Sequence, residues 1–183
     1  MPLLKNQTYL RWAGGKRRLV WRLLRFVPTD FEQREYYEPF LGAGSLFVAL
    51  QPRSSFLSDM NADLINSYRS VRDNPDLVAR YLRQHARFHS EEHYYAVRED
   101  YNRAHYFSGA QSARFIYLNR TCFNGIFRVN LDGEFNVPFG KPTNPLFPDL
   151  EHLRVVSRAF TNSQLNTLCY HVALEKAGTG AFV

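Results

Sequence analysis

The sequence lacks long hydrophobic runs and has few cysteines. The 183-residue chain contains only two cysteines, Cys122 and Cys169, and their spacing fits neither a zinc-ligand pattern nor a disulfide framework. No stretch approaches the roughly eighteen apolar residues of a membrane helix, and the opening MPLLKNQTYLRW lacks the apolar core of a signal peptide. These absences argue against a disulfide scaffold and a membrane protein. They predict a soluble, cytoplasmic protein with no metal centre.

Acidic residues are outnumbered by basic ones, 17 to 23, which gives a net charge of +6. A positive balance suits a polyanionic partner, but many proteins that bind no nucleic acid are as basic, so charge alone leaves that question open. Aromatic residues make up 15% of the chain, enough to build a core and to argue against disorder. The length suits one well-buried domain with at most a smaller lobe.

Two strand–turn–helix units follow one another in residues 35–68. In EYYEPFLGAGSLFVAL a short aromatic strand and a glycine-rich turn precede an apolar segment that predicts a helix from Ser45. In SSFLSDMNADLINSY a strand over Ser55–Leu57 ends at Asp59, and a helix begins near Ala62. Successive units of this kind predict an α/β fold with a doubly wound parallel sheet.

The first turn of this sheet is a candidate nucleotide site. Gly42 and Gly44 stand between a strand and a helix, where glycines let a ligand approach the backbone. Asp59 ends the next strand, where a carboxylate can accept hydrogen bonds from ribose hydroxyls. A tight turn and a helix cap would use the same residues, and the spacing suits NAD and S-adenosylmethionine equally.

A second glycine turn lies in YLRWAGGKRRL, residues 9–19. On its own it is compatible with the start of a helix, which the apolar spacing predicts over Lys16–Val27. Residues 62 to about 119 carry helical periodicity with breaks at 73–75 and 107–109, and a prolyl linker follows after residue 140. We therefore predict a sheet domain formed by residues 1–60 and 141–183, with an inserted helical lobe over residues 61–140.

Alternating residues over 125–139 predict a β-hairpin. A three-residue loop, Leu131–Gly133, pairs Val129 with Phe135 and Arg128 with Asn136, and it puts the apolar side chains of both strands on one face. The other face offers a guanidinium and amides, which can read base edges in a DNA groove. An ordinary solvated face would have the same composition. Beyond the linker, the pattern predicts a helix over 148–160, a strand near Leu165–Leu168, a helix to Lys176 and a final strand in GTGAFV.

Four segments occur in a familiar order: WAGGK (12–16), EPFLGAGS (38–45), SDMNADLI (58–65) and NRTCFNGIFRVNLDGEFNVPFG (119–140). Together they resemble the Dam-type DNA adenine-N6 methyltransferases over nearly the whole chain. The resemblance implies a Rossmann-like methyltransferase fold, S-adenosylmethionine as cofactor and double-stranded DNA as partner, with GATC as the target. It also implies a cytoplasmic, prokaryotic or phage protein that is a monomer and transfers a methyl group to adenine N6 after flipping the base.

The resemblance also implies roles for individual residues. Seven match the family's cofactor-binding positions: Trp12, Lys16, Phe40, Gly42, Gly44, Ser45 and Asp59. Seven match its DNA-binding positions: Arg11, Arg120, Phe123, Asn124, Ile126, Arg128 and Pro138. By this match the loop at residues 12–16 folds over the cofactor and Asp59 holds the ribose. Phe123 wedges into the base stack, Asn124 helps to occupy the vacated space and Arg128 binds a guanine.

One departure concerns catalysis. The family uses an Asp-Pro-Pro-Tyr type tetrapeptide, and none of the nine prolines here is followed by another. The tetrapeptide belongs just after a strand resembling GAFV, so we expect this chain to be a truncated and inactive fragment with no catalytic residue of its own. A non-catalytic DNA-binding protein from the same family is the alternative. A nicotinamide oxidoreductase would explain Gly42, Gly44 and Asp59 but would leave the hairpin without a role.

Overall fold

In a computed structural model that describes residues 8–104 and 106–183, three parallel strands form a sheet. They lie in the order β1 (Tyr36–Glu38), β2 (Ser55–Asp59) and β3 (Ser163–Thr167). The predicted α/β class and the parallel pairing of the first two strands are confirmed. The first seven residues of the predicted sheet domain lie outside the described residues.

The last residues of the chain run along the free edge of β1. Phe182 pairs in parallel with Tyr36. The Tyr37 N–H donates to the Phe182 carbonyl at 2.8 Å, and the Phe182 N–H donates to the Glu35 carbonyl at 2.9 Å. β1 therefore has hydrogen-bonded neighbours on both sides, and GTGAFV begins to pair as its predicted strand would.

The described part of the chain contains eight α-helices. Their bounds are α1 (Val20–Leu23), α2 (Ser45–Leu50), α3 (Ala62–Asp73), α4 (Pro75–Arg87), α5 (Glu91–Arg103), α6 (Gly109–Thr121), α7 (Leu150–Phe160) and α8 (Tyr170–Glu175). Of these, α3 and α8 contact the strands. The predicted breaks have local causes: the Asn74 side chain caps α4 by accepting from the Leu77 N–H, and Ser108 caps α6. Ser90 caps α5 in the same way, at a break that the periodicity did not predict.

The helix predicted over Lys16–Val27 is wrong in length. Only the four residues of α1 are α-helical, and a 3₁₀ turn over Leu24–Phe26 follows. Within this stretch Val20 is buried, whereas Leu19 and Leu24 are exposed. An amphipathic pattern forms a long helix only where its apolar stripe has a surface to pack against, and this stripe lacks one over most of its length.

One set of buried residues joins the sheet to the helices, with Leu57 on β2, Ile65 on α3, Ile116 on α6 and Phe135 on the hairpin among its members. A second, smaller set packs α8 against β1 and β2. α3 contacts β2 and β3 as well as α6, so it belongs to both of the predicted units. In the part of the chain that the structure describes, no helix has the length and apolar character needed to cross a bilayer.

Candidate functional site

A cleft of about 570 Å³ opens at the carboxyl ends of β1 and β2. We call it the glycine cleft, and it is lined by residues 12–16, by Leu23, by Glu38 and residues 40–46, and by Asp59. The structure brings all seven predicted cofactor residues to this one place: Trp12, Lys16, Phe40, Gly42, Gly44, Ser45 and Asp59. Ligands of open α/β sheets bind at this edge, where the strands end and the helices begin.

The glycines of the turn allow Trp12 to lie directly against the backbone. Gly42 has φ +48°, and a Cβ added to it would lie 2.9 Å from the Trp12 Cδ1. Gly44 has φ +65° and is the N-cap of α2. The left-handed backbone conformation favours glycine at both positions, and at Gly42 the close approach of the indole excludes a larger residue.

Asp59 ties the end of β2 to this turn. Its Oδ2 accepts a hydrogen bond from the Gly42 N–H and its Oδ1 accepts one from the Asn61 N–H, each at 3.0 Å. The cap of α3 is supplied by the Asn61 side chain, which accepts from the Leu64 N–H, and not by Asp59. Each carboxylate oxygen has a further lone pair, so Asp59 is positioned by the backbone and can still accept hydrogen bonds from a ligand.

The glycine cleft contains two other polar groups, the Glu38 carboxyl and the Ser45 hydroxyl. Burial raises the pKa of Glu38 to about 7, and the Tyr36 hydroxyl donates to its carboxylate at 2.9 Å. Ser45 Oγ is buried, and it has no hydrogen-bond partner in the described part of the chain. Buried polar groups are normally paired, so Ser45 Oγ is the group in the cleft that a ligand would complete, whereas Glu38 already has the Tyr36 hydroxyl as a partner. The sequence analysis missed Glu38, although it ends β1 as Asp59 ends β2.

The tip of the hairpin has the predicted register, but residues 125–139 form isolated bridges and not regular strands, and at the base Cys122 pairs with Phe139. Val129 pairs with Phe135, the Asn136 N–H donates to the Arg128 carbonyl at 3.2 Å, and Gly133 takes φ +82° in the loop. Phe135 is buried as predicted, but Val129 and Leu131 are exposed. The apolar face was therefore predicted too long, because the tip of the hairpin extends past the core.

Six of the seven predicted DNA residues are exposed, and the partly buried Arg120 lies at the base of the hairpin. After the DNA-reading role that the sequence analysis predicts for them, we call these seven the recognition face: Arg11, Arg120, Phe123, Asn124, Ile126, Arg128 and Pro138. Phe123 is 52% exposed, a large fraction for an aromatic ring. The Arg128 guanidinium donates through Nε to the Asn136 Oδ1 at 2.7 Å and through Nη2 to the Asn136 carbonyl at 3.3 Å, and these two bonds fix its plane without using Nη1.

Two members of this face, Arg11 and Arg120, form a cluster of guanidinium groups with Arg17. Burial lowers the pKa of Arg120, and the like charges of Arg11 and Arg17 lower it further. Arg120 Nε donates to the Leu146 carbonyl at 2.7 Å. Clustered cations of this kind attract an anion such as a phosphate, and Arg17 is a member that the sequence analysis did not select.

Comparison with known proteins gives a consistent result. The family model for "D12 class N6 adenine-specific DNA methyltransferase" matches residues 12–183. The chain is 38% identical over 181 residues to a DNA adenine methylase of Serratia marcescens, covering 98% of this chain and 65% of that protein. It is 35% identical over 190 residues to the type II methyltransferase M1.LlaDCHI of Lactococcus lactis subsp. cremoris, covering 99% and 66%.

A phage protein is similar over a smaller part of its own length. The chain is 35% identical over 176 residues to the DNA N-6-adenine-methyltransferase of Escherichia phage P1, covering 96% of this chain and 23% of that protein. The chain thus spans about two thirds of the length of the Serratia and Lactococcus relatives.

Proposed function

The chain belongs to the D12 class of N6 adenine-specific DNA methyltransferases, and on this premise we propose that it binds S-adenosylmethionine and duplex DNA for adenine-N6 methylation. The observation that carries the proposal is the position of Trp12. Its indole lines the glycine cleft and also stacks on Phe127 of the hairpin, with ring centroids 5.9 Å apart. Trp12 thus packs the cofactor cleft against the hairpin that carries the recognition face, and two neighbouring ligand sites are suited to group transfer between their ligands.

The glycine cleft fits S-adenosylmethionine group by group. The ligand carries an ammonium, a carboxylate, a sulfonium and a ribose diol. Asp59 supplies acceptors for the diol, and Glu38 supplies a carboxylate for a cationic group. Lys16, which donates to the Gly14 carbonyl at 2.7 Å, holds an ammonium at the rim for the ligand's carboxylate. Phe40 is 70% exposed and stacks on Tyr170, so it offers an aromatic surface at the mouth of the cleft.

The recognition face fits a duplex because it combines cations, an exposed aromatic wedge and a fixed guanidinium. Arg11, Arg17 and Arg120 would neutralise phosphates, and Arg128 would bind a guanine through the edge that Asn136 leaves free. Phe123 would enter the base stack while the target adenine leaves it. We propose GATC as the target and the cytoplasm of a prokaryotic or phage-infected cell as the site of action.

The bound cofactor supplies an activated methyl group, and the protein must direct it at a poor nucleophile. Adenine's amino lone pair is delocalised into its ring, so acceptors for the amino hydrogens stabilise the transition state. No Asp-Pro-Pro-Tyr type segment occurs in these 183 residues. We therefore propose that these residues alone bind both ligands without transferring methyl.

Isothermal titration calorimetry tests the cofactor assignment. We expect S-adenosylmethionine to bind the chain and NAD not to bind, because the Glu38 carboxylate in the cleft suits a ligand with cationic groups better than one with a diphosphate. If NAD binds and S-adenosylmethionine does not, the glycine turn binds a dinucleotide and the cofactor assignment is wrong. A duplex containing GATC, compared with a scrambled duplex by fluorescence anisotropy, tests the DNA assignment in the same preparation.

A further inference from the structure

Asn119 joins the segment that lines the glycine cleft to the segment that carries the recognition face. It lies in the last turn of α6 and is 3% exposed. Its Oδ1 accepts from the Arg11 N–H at 2.8 Å, and its Nδ2 donates to the Arg11 carbonyl at 2.7 Å. One side chain therefore binds both backbone polar groups of a residue 108 positions away.

The same amide also reaches the beginning of the hairpin. Asn119 Nδ2 lies 3.4 Å from the Gly125 carbonyl, to which it can donate its second hydrogen. Gly125 has φ +64°, and a Cβ added to it would lie 2.7 Å from the Arg11 Cβ. The turn that begins the hairpin thus lies directly against the Arg11 side chain, and Asn119 is hydrogen-bonded to the backbone of both residues.

The residue after Arg11 completes the connection. The Trp12 ring stacks on Phe127 of the hairpin and lies over Gly42 in the glycine cleft. A shift of the hairpin on binding DNA would move Phe127 and the Gly125 turn, and through Asn119 it would move the backbone that presents Trp12 to the cleft. Packed elements pass on such shifts because they do not deform freely.

We propose that Asn119 is a positioning residue that couples DNA binding to cofactor binding. The inference rests on the proposed function and deepens it, because it requires both ligands. By linkage, if DNA tightens cofactor binding by some factor, cofactor tightens DNA binding by the same factor. Asn119 contributes to that factor because it holds Arg11, and through it Trp12, in a fixed position relative to the hairpin.

The chain contains a matched control. Asn102 on α5 makes the same two-bond bridge to Phe135: its Oδ1 accepts from the Phe135 N–H at 2.9 Å and its Nδ2 donates to the Phe135 carbonyl at 3.1 Å. This bridge holds the hairpin against α5 and does not involve the segment at residues 9–12. Asn119→Asp and Asn102→Asp make the same chemical change, the loss of the amide donor, at two bridges that differ in what they connect.

The test measures the affinity of S-adenosylhomocysteine by calorimetry with and without a saturating GATC duplex. For the unaltered chain we expect the duplex to tighten binding about fivefold or more, a common size for such coupling. Asn119→Asp should bring the ratio close to one. Asn102→Asp should keep the ratio of the unaltered chain even where its DNA affinity falls.

A second readout covers the case in which Asn119→Asp does not fold. The chain has two tryptophans, so Trp12 is the only one left in a Trp21→Phe background. Adding duplex without cofactor should change the Trp12 emission. Three results would each overturn the inference: an unchanged Trp12 emission, an affinity ratio of one for the unaltered chain, or an unchanged ratio for folded Asn119→Asp. None of them would contradict the binding of each ligand by itself. Failure of the unaltered chain to bind either ligand would overturn the proposed function with it.

Discussion

Replacing Gly42 by alanine tests whether the turn exists to let Trp12 cover the glycine cleft. Two costs follow from the geometry. The left-handed backbone at φ +48° costs an L-residue about 1–2 kcal/mol. The new Cβ would lie 2.9 Å from the Trp12 Cδ1, so the indole must move by several tenths of an ångström, and overpacking of this kind costs about 1–3 kcal/mol. We expect a loss of about 2–5 kcal/mol in the free energy of unfolding.

Cofactor affinity should fall as well, because the displaced groups line the cleft. The Gly42 N–H donates to Asp59, so the substitution disturbs both Trp12 and the carboxylate assigned to the ribose. A loss of about tenfold in the affinity for S-adenosylmethionine, or about 1.4 kcal/mol, is the expected result. Urea unfolding and calorimetry on the same preparation measure the two effects.

Gly133→Ala is the control. Gly133 has φ +82° in the hairpin loop, and an added Cβ would have no atom within 4 Å. It should therefore show the backbone cost of about 1–2 kcal/mol without the clash, and cofactor affinity should not change. If Gly42→Ala loses no more stability than Gly133→Ala and binds S-adenosylmethionine as the unaltered chain does, the close approach of Trp12 has no role in the site.

Three further predictions concern single side chains. Asp59→Ala should weaken S-adenosylmethionine binding by about 1–3 kcal/mol because two ribose hydroxyls lose an ionised acceptor, and equal affinity in a folded variant by calorimetry would contradict the assignment. Arg128→Ala should cost about 1–3 kcal/mol on a GATC duplex and little on a scrambled one, whereas equal losses in anisotropy titrations would make it a phosphate contact. Burial, followed by the charges of His93 and Arg114, lowers the pKa of His85 from 6.5 to about 4. As pH falls below about 6.5, the unfolded chain therefore binds a proton at His85 before the folded chain does. By pH 5 this lowers the free energy of unfolding by about 2 kcal/mol. In urea unfolding curves His85→Phe should show a smaller decline with falling pH, and an equal decline would contradict the direction of the effect.

The local sequence pattern was sufficient to predict the structure where each residue's environment is set by its neighbours in the chain. The hairpin register followed from alternation and from Gly133, and the ends of β1 and β2 followed from apolar runs that stop at a turn. The predictions were wrong where packing against residues far away in the sequence determines the structure. The stripe over Lys16–Val27 repeats at helical spacing but has little to pack against, and Leu131 continues the apolar alternation past the edge of the core.

The residues that connect the two halves of the candidate site could not be found this way. Tyr9, buried, shares a hydrogen bond with the Ser67 hydroxyl on α3 at 2.9 Å, and Arg11 is bound by Asn119 on α6. A buried asparagine has no periodicity of its own, and nothing in its neighbourhood of the sequence indicates that its partner lies 108 positions away. Three elements therefore hold residues 9–12: α3 binds the Tyr9 side chain, α6 binds the Arg11 backbone, and the glycine turn lies against the Trp12 indole. Because these contacts connect residues 9–12 to the glycine cleft and to the hairpin, the same four residues should respond to cofactor and to DNA.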